Sequence, residues 1–180
     1  MPPLDVVEKE LIPALDAVGE QYEKQIIFLP QLMNAAAASG AAFDEVRRVI
    51  GQSSAAGEGK GPIVLATVEG DIHDIGKNIV RTVLENYGFR IVDLGRDVPA
   101  ERVVEAVRQY GAKIVGLSAL MTTTVPSMEK TIARLHENGL HVPVIVGGAV
   151  LTPDYAKKIG ADYYAKDAKQ SADIAKSILG

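Results

Sequence analysis

The stretch PIVLATVEGDIHDIGKN, residues 62–78, passes from an apolar run into a polar loop and then into a helical pattern. The apolar run is rich in β-branched and aliphatic residues, which is typical of a strand buried on both faces of a parallel sheet. The loop places His73 between Asp71 and Asp74. Because parallel sheets bind ligands beyond the carboxyl ends of their strands, this loop is the first candidate site.

The same alternation of strand and helix continues along the rest of the chain. Short β-rich runs, RIVDL, AKIVGLSAL, VPVIVGG and ADYYA, are separated by single helical stretches. Strands that alternate with single helices predict a parallel sheet with helices on both faces. The fold class predicted for residues 63–180 is therefore α/β, a flavodoxin-like (Rossmann-like), doubly wound, five-stranded parallel sheet. The predicted helices span Ile75–Tyr87, Ala100–Tyr110, Val125–Asn138, Pro153–Ile159 and Ala168–Leu179.

Residues 1–50 carry no strand signal and predict a helical cap domain instead. Apolar residues recur three or four apart, as on one face of an amphipathic helix. Pro30 stands near the start of a second helical run, and Gly40 marks a possible break in it. Two such helices leave apolar surface without a partner, so we predict an incomplete helical bundle that a second copy could complete as a homodimer. The polar, glycine-rich run GQSSAAGEGKGP, residues 51–62, is predicted to be a linker. The recurring apolar residues are Leu4, Val7, Leu11, Leu15, Val18 and Tyr22.

The composition narrows the class of protein. The chain has 180 residues, of which 47% are hydrophobic, and a net charge of −4 without a Lys/Arg block. This composition supports a real core and argues against a nucleic-acid surface. The absence of cysteine excludes disulfides, thiolate catalysis and zinc–thiolate sites. No apolar run approaches membrane-spanning length and no signal peptide is recognisable, so the sequence predicts a cytoplasmic protein that binds neither nucleic acid nor membrane.

The glycines of the loop do not form a nucleotide-binding motif. A phosphate loop needs four residues between its glycines and a hydroxyl residue after the lysine. Here about five residues separate Gly70 from Gly76, and Asn78 follows Lys77. No G-x-G-x-x-G follows the strand either, because GEGKG precedes it. A phosphate loop and a dinucleotide fingerprint are both excluded.

Two interpretations of His73 remain open from the residues alone. In one, Asp74 caps the following helix and His73 is a solvated loop residue. In the other, Asp71 accepts one ring N–H of His73 and leaves the second nitrogen free for a metal. No second histidine lies near His73 in the sequence, because His136 and His141 lie in the connection to the fourth strand. A metal on His73 would therefore take its other ligands from a macrocycle.

Several ordered segments give the chain a family resemblance. DIHDIG, residues 71–76, matches the D-x-H-x-x-G motif of cobalamin-binding domains, and GLSALMTTT and VGGA match later segments of that family. VGEQYEKQIIFLPQLMNAA resembles the helical cap that precedes this domain in cobalamin-dependent methionine synthase and in corrinoid proteins of methyltransferase systems. Only the second half of the family's four-helix cap is matched, and the homocysteine and methyltetrahydrofolate modules are not. The resemblance therefore implies a fragment of a larger methionine synthase or a free-standing carrier, and leaves open whether the chain is itself an enzyme.

The resemblance implies a cofactor and a role for three residues. The cofactor is cobalamin, carried as methylcobalamin in the base-off/His-on form, with His73 as the lower axial ligand of cobalt. Asp71 hydrogen-bonds the histidine, and Thr124 completes the relay, which tunes the metal. By resemblance the methyl group is carried by alternation of Co(I) and methyl-Co(III), with proton uptake by these residues when the methyl group leaves. The implied reaction is transfer from methyltetrahydrofolate to homocysteine or a related corrinoid methyl transfer.

Further contacts to cobalamin are implied in both parts of the chain. At the ends of the third and fourth strands, small and hydroxyl residues, Gly116 among them, match a slot for the displaced nucleotide tail. In the cap, Tyr22 and Leu29 match positions over the methyl-bearing face, where an apolar lid excludes water and the linker acts as a hinge. Apolar residues at helical spacing are also typical of a plain core. The implied cofactor contacts are Glu8, Tyr22, Leu29, Gly70, Asp71, Ile72, His73, Asp74, Gly76, Ser118, Leu120, Thr122, Gly147, Gly148, Ala149 and Ala168.

The implied partners are methyl-donor and methyl-acceptor modules or partner methyltransferase proteins. Two alternatives use the same kind of domain, a cobalamin-dependent sensor or regulator and the small domain of an adenosylcobalamin mutase. The sensor is disfavoured because no basic segment or helix-turn-helix pattern is present. The mutase is disfavoured because the FLPQLM helix resembles the cap of methyl-transfer proteins.

Overall fold

A computed structural model of the chain describes residues 6–51 and 60–180. The predicted linker therefore lies largely outside the described residues, and so does the side chain of Glu8. The chain divides into two compact units. The first comprises Met1–Glu58 and Glu85–Tyr87, and the second comprises Gly59–Leu84 and Gly88–Gly180.

The first unit is helical. A π-helical segment precedes two α-helices, and the turn between the helices passes through Gln25, whose φ of +58° lies in the left-handed region. Ile26 and Phe28, in and just after this turn, are among the most exposed apolar side chains of the described residues. The segments are Val7–Leu11 (π), α1 (Ile12–Glu23) and α2 (Leu29–Gly51), and their buried residues include Leu15, Gly19, Leu32 and Ala36.

Gly40 does not break α2, although its position in the sequence suggested a break. The helix continues through it to Gly51. A Cβ added at Gly40 would lie 3.1 Å from Asn86 Oδ1, and Asn86 Nδ2 donates to Ala36 O at 2.8 Å, one turn earlier in α2. The glycine therefore allows close packing within this unit rather than a helix end.

The second unit is built on a five-stranded sheet with the order β2-β1-β3-β4-β5, in which all neighbouring strands are parallel. This is the flavodoxin-like order, so the predicted fold class is confirmed. The chain changes direction across the sheet between β1 and β3, and folds of this class bind ligands in the crevice at that point. The strands are β1 (Lys60–Thr67), β2 (Phe89–Asp93), β3 (Ile114–Ser118), β4 (Val144–Gly147) and β5 (Tyr163–Tyr164).

Five helices follow the strands and match the predicted stretches to within one residue at their ends. The second of these helices ends at a glycine. Gly111 takes the left-handed conformation, with φ +61°, and donates its N–H to Val107 O. Within residues 6–51 and 60–180, no helix is long and apolar enough to cross a bilayer. The helices are α3 (Ile75–Asn86), α4 (Ala100–Tyr110), α5 (Val125–Glu137), α6 (Pro153–Lys158) and α7 (Ala168–Leu179).

The core of this unit lies between the sheet and the helices that cover it. Residues 63–68 are all buried, on both faces of the sheet, as the apolar run predicts. Val64 and Val115 in adjacent strands belong to one buried cluster with Met128 and Leu135 of α5. Full burial of one such side chain stabilises the fold by about 1.5–3 kcal/mol. The strands therefore form a rigid base for the loops at their carboxyl ends.

Candidate functional site

The loop after β1 begins with a tight turn that needs glycine. Asp71 N donates to Val68 O at 3.0 Å and closes the turn. Gly70 is the third residue of this turn, and its φ of +86° is the left-handed conformation that a type II turn requires at that position. Because a Cβ is strained in this conformation, glycine is the residue that fits. The turn brings Asp71 to the carboxyl edge of the sheet immediately after β1.

Asp71 carries a fully buried carboxylate that joins the loops after β1 and β3. Its Oδ1 accepts from His73 N at 3.0 Å and lies 2.9 Å from His73 Nδ1. Its Oδ2 accepts from Leu120 N at 2.7 Å and from Thr124 Oγ1 at 2.7 Å, with Met121 N more distant at 3.4 Å. Residues that are about 50 positions apart in sequence thus converge on one carboxylate.

Asp71 is ionised in the folded protein. Burial opposes its charge and raises its pKa, but hydrogen bonds from His73 N, Leu120 N, the Thr124 hydroxyl and the His73 ring outweigh burial. The result is a pKa well below the ordinary value of 3.8. At neutral pH the carboxylate can therefore only accept hydrogen bonds.

His73 has one ring nitrogen engaged and one free. Because Asp71 can only accept, the proton of the neutral ring lies on Nδ1, which donates to Asp71 Oδ1 at 2.9 Å. The lone pair of the ring is then on Nε2, and the side chain is 44% exposed. This is the arrangement in which a histidine presents Nε2 to a metal while a carboxylate fixes its tautomer.

Thr124 stands at the start of α5 and gives Asp71 a hydroxyl partner. Its Oγ1 lies 2.7 Å from Asp71 Oδ2 and 2.9 Å from Met121 O, and Thr124 itself is buried. A hydroxyl has one proton, so it donates to only one of these acceptors at a time. The three predicted residues His73, Asp71 and Thr124 are therefore brought together in one hydrogen-bonded chain.

Two further residues hold this loop, and neither was predicted from the sequence. Asp97 Oδ1 accepts from Gly70 N at 2.7 Å, and Asp97 N donates to Asp71 O at 2.9 Å. Asp93, at the end of β2, accepts from the buried Lys77 Nζ at 2.6 and 2.7 Å. Both aspartates lie in the run VDLGRDVP, Asp93 as the last residue of β2 and Asp97 beyond it, at the same sheet edge as the loop after β1. Their position after a strand was a signal that could have identified them.

The Lys77–Asp93 ion pair is buried on the lysine side. Burial raises the pKa of Asp93, but hydrogen bonds from Lys77 and Gly95 N and the charges of Lys77 and Arg81 lower it below its usual range. Lys77 belongs to the first turn of α3. The ion pair therefore ties the start of α3, just after His73, to the end of β2.

The predicted slot residues lie together at the ends of β3 and β4. Ser118 is paired with Gly147 in the sheet, and Ala119 N donates to Gly147 O at 3.2 Å. A Cβ added at Gly148 would fall 1.8 Å from Ala119 O, and its φ is +146°. The protein's own main chain therefore requires glycine at 148, whatever binds nearby. At Gly116 the close neighbour is likewise the protein's own Leu65 side chain, 2.5 Å from an added Cβ.

The remaining predicted contacts differ in exposure. Asp74 was expected to cap α3 with its side chain, but the hydrogen bond that it contributes is main-chain, with Asp74 O accepting from Asn78 N at 2.8 Å. Ala168, the first residue of α7, is buried. In the first unit, Leu29 is exposed and Tyr22 half-buried. The exposed members of the predicted set in the second unit are Gly70, Ile72, His73, Gly76, Leu120, Thr122 and Ala149.

Comparison with protein families identifies the chain. A family model described as "B12 binding domain" matches residues 61–173, and a second model with the same description matches residues 1–47. The chain belongs to the B12-binding domain family. Across residues 6–51 and 60–180, no cluster of three or more His, Asp or Glu side chains could hold a metal ion.

The relatives of this B12-binding chain include corrinoid proteins. It is 44% identical to "Dimethylamine corrinoid protein 1" of Methanosarcina acetivorans over 179 residues, which is 98% of this chain and 84% of that protein. A crystal structure of a cobalamin-binding protein from Desulfitobacterium hafniense DCB-2 superposes with a TM-score of 0.82 at 36% identity, covering 92% of this chain and 78% of that one. The crystal structure of the methanol:cobalamin methyltransferase complex MtaBC from Methanosarcina barkeri gives a TM-score of 0.82 at 35% identity, covering 98% and 67% respectively.

These relatives confirm one part of the resemblance and not another. The chain is similar to corrinoid proteins of methyltransferase systems, as predicted. The expected link to methionine synthase and methionine biosynthesis is not supported by them, because they are named for dimethylamine and methanol. D-x-H-x-x-G is shared by both branches, so the motif alone did not separate them.

Proposed function

We propose that this B12-binding protein carries a methyl group on cobalamin for a partner methyltransferase that acts on a small methylated substrate such as a methylamine or methanol. The observation that carries the proposal is the chain Thr124–Asp71–His73, which ends at a free and accessible Nε2. The relatives support the choice of substrate class through a dimethylamine corrinoid protein and a methanol methyltransferase complex.

The residues around His73 fit a large, flat, mostly apolar cofactor. Ile72 and Ile75 flank the histidine with exposed fractions of 60% and 76%, and Leu120 and Met121 are also exposed. Large apolar side chains that are exposed together mark a binding surface more often than a solvated one. A corrin ring supplies four nitrogen ligands, so His73 would complete the axial position beneath it in a base-off/His-on arrangement.

The chain's own residues would hold His73 in position for the cofactor and keep its ring proton on Nδ1. When bound, the cofactor supplies a cobalt centre that accepts a methyl group from one partner and gives it to another. Asp71 holds His73 in the tautomer with Nε2 free for a ligand. Thr124 donates to Asp71 in one hydroxyl orientation and to Met121 O in the other.

The division into parts belongs to the same proposal. We assign residues 1–50 as the cap, residues 51–62 as a linker whose last three residues already belong to β1, and residues 63–180 as the cofactor domain. Tyr22 and Leu29 would then contribute to the lid over the methyl-bearing face. Partner methyltransferases would approach that face. The cap could also form a homodimer, which a mass measurement in solution distinguishes from a monomer.

Axial ligation by His73 is tested by visible absorption. The protein is mixed with methylcobalamin, and its spectrum is compared with that of the free cofactor and with those of two variants. We expect His73→Ala to lose the wild-type spectrum, because no other histidine lies in the loop. His136→Ala is the matched control, since His136 is exposed in the last turn of α5 and should leave the spectrum unchanged. A wild-type spectrum identical to that of free methylcobalamin contradicts the base-off/His-on assignment.

The substrate class is tested separately. Cobalamin-loaded protein is incubated with dimethylamine-specific or methanol-specific methyltransferase, each with its own substrate, and methylation of the bound cofactor is followed by absorption. Methylation with either pair supports the proposal. Methylation only by methyltetrahydrofolate-dependent enzymes would instead favour the methionine synthase branch, and a preference for adenosylcobalamin would favour a mutase.

A further inference from the structure

We infer that Asp97 is a positioning residue for His73, acting through the turn that carries Asp71. The inference rests on the proposed role of His73 as a ligand. Asp97 bonds two successive residues of the turn, since its Oδ1 accepts from Gly70 N at 2.7 Å and its own N donates to Asp71 O at 2.9 Å. The side chain and the main chain of Asp97 thus bind the two peptide units on either side of the Gly70–Asp71 peptide bond.

The conformation of Asp97 indicates that an aspartate at this position serves to make these two hydrogen bonds. Its φ is +53°, in the left-handed region that residues with a Cβ rarely adopt, although aspartate and asparagine tolerate it better than most. The residue is exposed, so it does not fill a position in the core. Val98, the next residue, pairs with Val68 and Val98 N donates to Thr67 O at 3.0 Å. Asp97 is therefore anchored to the strand from which the turn departs.

Asp71 needs support from two directions to hold His73. Its carboxylate is held from the β3 side by Leu120 N and the Thr124 hydroxyl. Its main chain is held from the β2 side by Asp97 N, and the preceding Gly70 by the Asp97 carboxylate. His73 donates both its main-chain N–H and its Nδ1–H to Asp71 Oδ1. Loss of the Asp97 bonds would let the turn move relative to β3, and the ring of His73 would lose its alignment.

Two substitutions separate the parts of this arrangement. Asp97→Gly keeps the left-handed backbone and the N–H donor but removes the carboxylate from Gly70 N. Asp97→Asn keeps an acceptor oxygen at the same place and also tolerates the left-handed conformation. Asp154→Gly is the matched control, because Asp154 is exposed in the first turn of α6 and takes no part in the network.

The first measurement uses the protein without cofactor. The tautomer of His73 is read from its ring nitrogen shifts in ¹H–¹⁵N NMR spectra at about pH 8, where an ordinary imidazole is neutral. The chain has 3 histidines, so His73→Ala identifies the signals. We expect the Nδ1–H form in the wild type, Asp97→Asn and Asp154→Gly, and a mixture of both tautomers in Asp97→Gly. A wild-type tautomer in a folded Asp97→Gly protein overturns the inference.

The second measurement is the affinity for methylcobalamin, followed by absorption. We expect Asp97→Gly to bind about 10-fold more weakly, as when a group that orients a metal ligand is removed, while Asp97→Asn stays at the wild-type level. If neither the wild type nor any variant binds methylcobalamin, the proposed function fails, but the tautomer measurement still tests the role of Asp97. Amide exchange of Gly70 in the unmodified protein needs no variant at all. Protection of this exposed glycine supports the bond to Asp97, and exchange at the rate of an open loop overturns it.

Discussion

Replacement of Asp71 by asparagine tests whether the buried carboxylate organises the site. Asparagine has nearly the same shape, but one of its two side-chain positions donates instead of accepting. If the amide nitrogen takes the place of Oδ2, it faces Leu120 N, which is then left without an acceptor. If it takes the place of Oδ1, it faces His73 N, and the ring must change tautomer to accept at Nδ1. In either orientation one main-chain N–H loses its partner.

The expected loss of stability follows from this one unpaired N–H and from the loss of the negative charge. A buried N–H without an acceptor costs about 1–3 kcal/mol, and the change from charge-assisted to neutral hydrogen bonds costs roughly 1 kcal/mol more. We therefore expect Asp71→Asn to lower the free energy of unfolding by about 2–4 kcal/mol at neutral pH. The folded pKa of Asp71 lies below the ordinary 3.8, so its ionisation stabilises the fold fully above that value. That contribution is lost as the pH falls through the folded pKa, so the difference between wild type and variant should narrow below about pH 4.

The assay is urea-induced unfolding followed by far-ultraviolet circular dichroism, since the chain has no tryptophan. Asp154→Asn, at an exposed aspartate, is the control and should change the midpoint little. A loss below about 0.5 kcal/mol for Asp71→Asn, the range of ordinary surface substitutions, refutes the reasoning. So does a difference that widens as the pH is lowered.

Three other substitutions are tested by the same unfolding assay. Thr67→Val should raise the free energy of unfolding by about 1 kcal/mol, because Thr67 Oγ1 is buried without a hydrogen-bond partner among the described residues; a comparable loss would contradict this. Lys77→Met should lower the free energy of unfolding by about 3 kcal/mol, because it leaves Asp93 without its main partner. Lys77→Met combined with Asp93→Leu should recover most of this loss. A double variant as unstable as Lys77→Met would contradict the stabilising role of the ion pair. Gly148→Ala should cost about 3 kcal/mol or more, since its Cβ would fall 1.8 Å from Ala119 O at a φ of +146°, and a variant of wild-type stability would contradict that contact.

Much of the fold could be predicted because it depends on local patterns. The run at residues 63–68 is apolar except for Thr67 and is buried throughout, since parallel strands covered on both faces have no solvent side. Helix ends were predicted to within a residue where glycine stands in a left-handed turn, as at Gly111. The expected break at Gly40 was wrong for a tertiary reason, since a glycine also fits where Asn86 packs closely.

The candidate site was only partly predictable. Asp71 and His73 share one loop and one short motif, so their contact follows from a separation of two residues. Asp93 and Asp97 stand at the end of a strand, but their contacts with Lys77 and Gly70 depend on the order of the strands, which the local sequence does not show. Thr124 came from the family resemblance and not from its own residue type.

Residue patterns alone predicted the alternation of strands and helices, and with it a parallel sheet whose carboxyl edge carries the loop of His73. Burial and periodicity are properties of each segment, and so they can be recognised one segment at a time. Only the tertiary structure decided which loops meet at that edge. The order β2-β1-β3 places Asp97 on one side of Asp71 and Leu120 and Thr124 on the other. The ionised state of Asp71 and the free Nε2 of His73 both depend on donors brought together in this way, and that convergence has no signature in any single segment of the chain.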